Sequence, residues 1–440
     1  MDSRFSTRSN DMDRTARWTV CVAGVAITVL FAVLSRIAGL REHVGLFLTL
    51  FFAAFAAYIA ALATSHYLGG AGRKRLLVFV FVVAAAGRVV LIPSLPEMST
   101  DIYRYVWEGR VVMHGFNPFV HAPQAPELES LRDAYYEDVN HKHLATIYPP
   151  VAQGVFALAA AVRPDPYALK TILFLFDLGV IAVLTMLLKL RSLDPAAVIV
   201  YAWNPLLIFE TAHSGHVEPV GIFFLLFGLW LIARGRNWYG FGAMGASFLT
   251  KYVSIVFVPF FLARKKYIPW VGLMAAVVVA GYLPFAGAGK GLFSSLGVYG
   301  AEWRFNGLAF ELLSPLLGNP AWTRGILAAV VVAVVVYNAW RQRDAMRFGF
   351  VVFGTGLLLS PTLHPWYLAW IVPFLCFNRN RAWILFTGLV VVSYWVWNVQ
   401  AQTGRWELPW QVYALEYAPF FALLAWDALR GRPAKGSVAP

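Results

Sequence analysis

Acids, bases, histidines and aromatics crowd one polar stretch set between two apolar runs. It spans Asp101 to Pro150 and reads DIYRYVWEGRVVMHGFNPFVHAPQAPELESLRDAYYEDVNHKHLATIYPP. Long loops inside compact architectures are functional or disordered, and the aromatics with repeated Pro and Asn-Pro turn signals point to an ordered one. Asp101 stands in Ser-Thr-Asp. It can serve as a helix cap, or as a carboxylate at the mouth of an apolar cavity that takes the proton of an attacking hydroxyl. Tyr103, Arg104, Tyr105, Trp107 and Glu108 follow at near-helical spacing, and Arg104 with Glu108 forms an i,i+4 pair that suits a structural role. In Asn140-His141-Lys142-His143 the two histidines share a face only on a strand and have no third ligand near in sequence. Cationic donors to a phosphate or sugar therefore fit His141 and Lys142 better than metal ligation does. Tyr148-Pro149-Pro150 opens a half-helix, with proline in the first turn where it is tolerated.

Four more clusters carry similar chemistry. His213-Ser-Gly-His216-Val-Glu218 reads as a turn between apolar segments, and ionisable groups at a membrane boundary are functional by default because burying them is costly. The loop from Lys290 to Asn306 (KGLFSSLGVYGAEWRFN) carries Glu302 and Arg304 beside Trp303 and Asn306, where an Arg can clamp a phosphate or sit in a solvated ion pair. Ser360-Pro-Thr-Leu-His364-Pro-Trp366-Tyr367 places a histidine and aromatics at a proline-broken helix entrance, which suits sugar or phosphate recognition. The last cluster is GRWELPW, residues 404–410. Lys251, inside an apolar segment, neutralises a buried partner or snorkels, and Asp177 suits a structural hydrogen bond.

The elements that position these groups are membrane helices. Of the 440 residues 59% are hydrophobic and 13% charged, where a soluble domain carries about a quarter charged. The net charge of +13 lies in short basic clusters between apolar runs, as cytoplasmic loops do, so no nucleic acid partner is expected. Cys21 and Cys376 make no disulfide framework. Runs of about 20 apolar residues can span a bilayer, which gives about twelve full spans, at 18–39, 45–67, 76–94, 168–189, 195–211, 218–233, 267–287, 323–340, 347–361, 365–378, 382–399 and 411–429. The shorter pieces 150–162 and 305–318 and the split piece 238–263 read as half-helices, the split one re-entrant because basic clusters flank both its ends. The expected organisation is an all-α polytopic protein. It has a cytoplasmic tail over 1–17, a membrane domain over 18–429 that contains a catalytic loop over 95–150, and a disordered cytoplasmic tail over 430–440. With both termini inside, all five polar clusters face outward. They imply a site at the outer face of the cell membrane, where a lipid-borne and a water-borne substrate can meet.

Together the segments DIYRYVWEG, Tyr148-Pro-Pro, Asn204-Pro with Ser214-Gly-His, and SPTLHPWY resemble the C-type (GT-C) membrane glycosyltransferases. They are most similar to the polyprenyl-phosphate-mannose-dependent branch. The resemblance covers about residues 76–400. It implies a catalytic carboxylate in the first large extracytoplasmic loop, matched by Asp101, and a late His-Pro-Trp-Tyr element lining a substrate pocket, matched by His364. It also implies a polyprenyl-phosphate-linked sugar donor, with mannose as the sugar, and a glycan or glycolipid acceptor. Two departures stand out: three spans precede the loop, and Asp101-Ile102-Tyr103 lacks the second acid of an Asp-x-Asp motif. No cofactor is expected, and a divalent metal is not favoured. Asp101 would accept the acceptor hydroxyl's proton in one inverting displacement, with Arg304, Lys142 or His364 offsetting the leaving phosphate. The competing class is a transporter or flippase for a lipid-linked or anionic solute, since broken helices also build midplane transport sites.

Overall fold

The computed structural model describes residues 2–68 and 70–430. Residues 431–440, most of the expected C-terminal tail, lie outside them. The described chain is helical and has no β-strand. Its sheet-like contacts are isolated bridges from Phe305 and Asn306 to Thr362.

Three helices open the fold: α1 (Asp2–Leu34), α2 (Val44–Ser65) and α3 (Gly70–Val89). Residues 2–17 are helical and run into the first apolar segment without a break. The polar loop begins with α4 (Asp101–Met113), then 3-10 turns at Pro126–Leu131 and Tyr136–Asp138, and leads to α5 (Pro150–Val162) and α6 (Pro166–Leu190). Pro150 occupies the first turn of α5 as its sequence suggests. The α4 and α5 backbones touch at Gly109, where a Cβ would lie 2.2 Å from the Phe156 carbonyl oxygen. No other residue type permits that approach.

Seven described helices are long and apolar enough to cross a membrane, or eight if Pro195–Ala202 and Pro205–Ala212, bent by 59°, form one broken span. Five further apolar helices of 10–17 residues fall short of that length, and several of the expected twelve spans correspond to shorter elements. The segment at 218–233 is a 16-residue helix, Glu218–Ala233, and 347–361 is a 15-residue one, Ala345–Leu359. The 365–378 segment is a 3-10 turn and a single short helix. Helix α3 carries Arg73, Lys74, Arg75 and Arg88, too many charges for a clean span. The apolar segments also differ in burial. Every residue from 196 to 222 and from 368 to 377 is buried inside the protein. By contrast the long Lys265–Glu302 segment is only 6% buried over its most apolar window. Hydropathy scores both kinds alike.

The split piece does fold back on itself. Helices Asn237–Phe248 and Phe257–Leu262 diverge at Lys251, yet Phe241 and Phe261 meet with ring centroids 4.8 Å apart. At its apex the Leu249 carbonyl accepts from Val151 N (2.8 Å) and Ala152 N (3.3 Å), capping α5. The hairpin tip is therefore fastened to the start of the helix that follows the polar loop.

Candidate active site

Asp101 is the first residue of α4; the cap position belongs to Thr100. Its carboxylate is thus not used as a cap. Oδ1 accepts from Asn140 Nδ2 at 2.8 Å, and Oδ2 lies 3.8 Å from Nδ1 of His216. The carboxylate faces a cavity of about 970 Å³. Its polar lining includes Arg104, Glu108, His141, Tyr148, Lys251, Tyr299, Glu302, Arg304, His364, Trp366 and Tyr367. A second wall is apolar, formed by Val253, Val256, Val331, Val352, Phe353, Gly356 and Leu357. Four of the five polar clusters line this one cavity, and the His213–Glu218 turn backs it.

The loop is held by its own charges. Arg104 Nε donates to Glu108 Oε1 at 2.6 Å, and its other nitrogens donate to the carbonyls of Asn140, His141 and Leu144. Thr146 Oγ1 and Gln153 Nε2 donate to Glu108 Oε2 at 2.7 and 2.6 Å. Arg104 and Glu108 form the structural pair their spacing suggests, at the cavity wall. His141 adopts a left-handed backbone, φ 46°, with its ring edge on Trp303 at 4.8 Å. Burial lowers its pKa, the Asp101 charge opposing that shift.

A strap holds His364. Phe305 N donates to the Pro361 carbonyl (3.0 Å) and Leu363 N to the Phe305 carbonyl (2.7 Å). The His364 ring stacks on Trp366 at 4.4 Å and on Phe305 at 4.7 Å, and Trp366 stacks in turn on His216 at 3.9 Å. Desolvation between these rings, helped by His216 and Lys251, pushes the pKa of His364 down to about 3. In that state the imidazole carries no charge, and its ring is one layer of the stack.

Five expected site residues do not line the cavity: Tyr103, Lys142, His213, His216 and Glu218. Tyr103 stacks on Tyr135. Lys142 pairs with Glu137 (3.5 Å) and covers the Tyr136 ring. His213 is buried against Ser94 Oγ (2.9 Å) and Phe209. Glu218 is buried behind the wall and pairs with Lys251. Lys251 therefore neutralises a buried partner, and it reaches the cavity as well. Arg304 lines the cavity with no ion-pair or hydrogen-bond partner among the described residues. No group of three or more His, Cys, Asp or Glu side chains is placed to hold a metal ion among the described residues.

Sequence reasoning missed Glu210, Asn140 and the phenols of Tyr299 and Tyr394. Glu210 was legible: it is a lone acid in the apolar run PLLIFETA, and such groups mark functional sites. Tyr299 lies within the Lys290–Asn306 cluster, while Tyr394 had no signal, since an aromatic in an apolar segment is ordinarily core.

Residues 22–265 match the family model described as "Alpha-(1->6)-mannopyranosyltransferase, N-terminal domain". The chain belongs to this family. Alpha-(1->6)-mannopyranosyltransferase B of Corynebacterium glutamicum is 24% identical over 357 residues, covering 68% of this chain and 58% of that protein. The chain thus spans somewhat more than half the length of this curated relative. The family match takes in Asp101, the polar loop, Glu210 and the His213–Glu218 turn. The strap with His364 lies beyond it.

Proposed function

We propose that this chain is an inverting membrane mannosyltransferase. It takes mannose from a polyprenyl-phosphate donor and joins it to a hydroxyl of a glycan or glycolipid acceptor, at the extracytoplasmic face of the cell membrane. The observation that carries this reading is the cavity, which joins the Asp101 carboxylate and the uncommitted Arg304 guanidinium to an apolar wall. A soluble sugar nucleotide has no use for that wall, whereas a lipid phosphate places its chain there and its head group beside Arg304. The relative's name supplies the sugar and an α-(1→6) linkage. The acceptor is then a primary hydroxyl.

Asp101 Oδ2 takes the acceptor proton while the acceptor oxygen forms a bond to the anomeric carbon. The bond from that carbon to the phosphate oxygen breaks, and its electron pair leaves with the lipid phosphate, whose growing charge Arg304 and Lys251 offset. One displacement inverts, so an α-mannoside requires a β-linked donor. The phosphate leaves without acid assistance, so the second carboxylate of glycoside hydrolysis is not needed. No metal enters this scheme. The residue after next to Asp101 is Tyr103, where an acid would complete a metal-binding pair.

The test is transfer from radiolabelled β-mannosyl phosphopolyprenol in membranes carrying wild type or Asp101→Asn, with and without EDTA. Transfer by wild type in both conditions and none by the variant is the expected result. An active Asp101→Asn protein would remove Asp101 as the base, and loss of wild-type transfer in EDTA would establish a metal requirement.

A further inference from the structure

Behind Asp101 runs a line of buried polar groups that this reaction leaves unused. His216 Nδ1 is 3.8 Å from Asp101 Oδ2, and its Nε2 is 3.4 Å from Glu210 Oε2. Glu210 Oε1 accepts from the Tyr394 hydroxyl at 2.7 Å. The side chains of His216 and Glu210 are 1% and 3% exposed, against 24% for Asp101. Neither nitrogen of His216 nor Oε2 of Glu210 has an aligned hydrogen-bond partner among the described residues. Buried polar atoms ordinarily find one.

The chain is built to bring these groups together. His216 N donates to the Glu210 carbonyl at 3.0 Å, folding the turn back on the helix Pro205–Ala212. Gly215 makes that turn at φ +73°, and a Cβ there would lie 2.3 Å from Ile102 Cδ1 on α4. The left-handed backbone at this position is one that glycine adopts without strain. The Trp366 stack then fixes the plane of the ring.

We propose that Glu210 and His216 form a carboxylate–imidazole unit that positions Asp101 as a base and receives the proton it takes up. The inference rests on the base role of Asp101 proposed above. Glu210 holds the Nε2–H tautomer, so the Nδ1 lone pair faces Oδ2. Two acceptors with no proton between them stand apart, which the 3.8 Å separation fits. When Oδ2 takes the acceptor's proton, its new O–H points at Nδ1 and the gap closes. Transfer to Nδ1 leaves Asp101 ionised and an imidazolium between two carboxylates, with the proton and charge both conserved. Both members are positioning residues, since neither lines the cavity.

The groups facing His216 are Asp101 from α4, Glu210 with Tyr394 behind it, and His364 across Trp366. Lys170 of α6 packs beside Gly215, and the Glu218–Lys251 pair flanks the turn. Each is unchanged in the variants below, Glu210 and Tyr394 apart.

Glu210→Gln keeps the shape and removes the charge. Its kcat should fall about 10- to 100-fold with donor KM unchanged. Without the negative charge the unit binds its proton less tightly, so the acid limb of the pH–rate profile should move down by about one pH unit. Tyr394→Phe removes the donor that partly neutralises Glu210, so its acid limb should move up, by less. These opposite signs are what a merely structural role would not produce. The profiles are measured on purified full-length protein in lipid nanodiscs, beside wild type and Asp101→Asn. Activity loss with an unmoved limb, or shifts of the same sign, overturns the unit. If Glu210→Gln does not fold, the upward shift in Tyr394→Phe decides alone. An active wild type and inactive Asp101→Asn beside a wild-type-like Glu210→Gln overturns only this inference, whereas an active Asp101→Asn overturns the base role with it.

Discussion

The protein buries charge in two regions and treats it differently. At the α3–α6 contact the Arg88–Asp177 pair is fully enclosed, 0% exposed on both sides. Asp177 Oδ1 accepts from the Tyr201 hydroxyl at 2.6 Å, and Arg88 Nη1 donates to the Ala84 and Ala202 carbonyls at 3.0 and 2.9 Å. Of the pair's polar atoms, Nη2 of Arg88 is the one left without a partner among the described residues, and the rest are matched, as a structural ion pair requires. Around Asp101, by contrast, the buried atoms of His216, Glu210 and Glu218 are left without aligned partners. One region spends its charges on joining helices; the other holds them ready beside a cavity.

The largest test exchanges the two. Asp177→Asn should leave Arg88 uncompensated and lower stability by about 3–5 kcal/mol, with kcat per folded molecule unchanged. Asp101→Asn should lower kcat by about 10²- to 10⁴-fold with an unchanged melting temperature. Thermal melting in detergent and the transfer assay read both. An Asp177→Asn protein that melts like wild type but fails to transfer would erase the distinction.

A third pair lies between these extremes. Glu218 is buried, while Lys251 pairs with it and also reaches the cavity. Lys251→Met should destabilise by about 2–3 kcal/mol, because it strands a buried carboxylate. Adding Glu218→Gln should restore most of that stability but not the activity, since the cavity has lost a cation. Recovery of both would make the pair purely structural.

His364 yields a smaller effect with a definite sign. It is held neutral in the fold with its pKa pushed down to about 3, whereas in the unfolded chain it titrates near 6.5, roughly its free value. Below that pH the unfolded state binds more protons, so its contribution to stability is present above about 6.5 and lost as pH falls toward 3. His364→Phe keeps the stack and should flatten that part of the stability–pH curve. An unchanged slope would mean that other groups carry it.

These contrasts also mark what the sequence could tell. The all-α membrane class, the fold-back at Lys251, the proline start of α5 and the Arg104–Glu108 pair were legible, because each depends on neighbours within a few turns. Which apolar segments face lipid was not. Residues 196–209 read as part of a span, yet they are buried in protein on all sides, and only tertiary packing separates the two cases. Spacing likewise could not say that His216 reaches Asp101, 115 positions away in sequence, or that Lys142 turns outward to Glu137.

That last point supplies the finest test. Arg304 and Lys142 were both expected to face a phosphate, yet Arg304 lines the cavity and Lys142 lies outside it. A charge-assisted hydrogen bond is worth about 1.5–3 kcal/mol, and solvent at this exposed site reduces it. Arg304→Ala should therefore raise donor KM about tenfold, at the low end of that range, and more at low ionic strength than at high. Lys142→Ala removes an exposed pair of little worth and should leave KM and stability unchanged within about 0.5 kcal/mol. Because the two side chains carry the same charge, a general attraction of the anionic donor to a basic surface would raise KM in both variants alike. An effect confined to Arg304 requires a local contact with the phosphate.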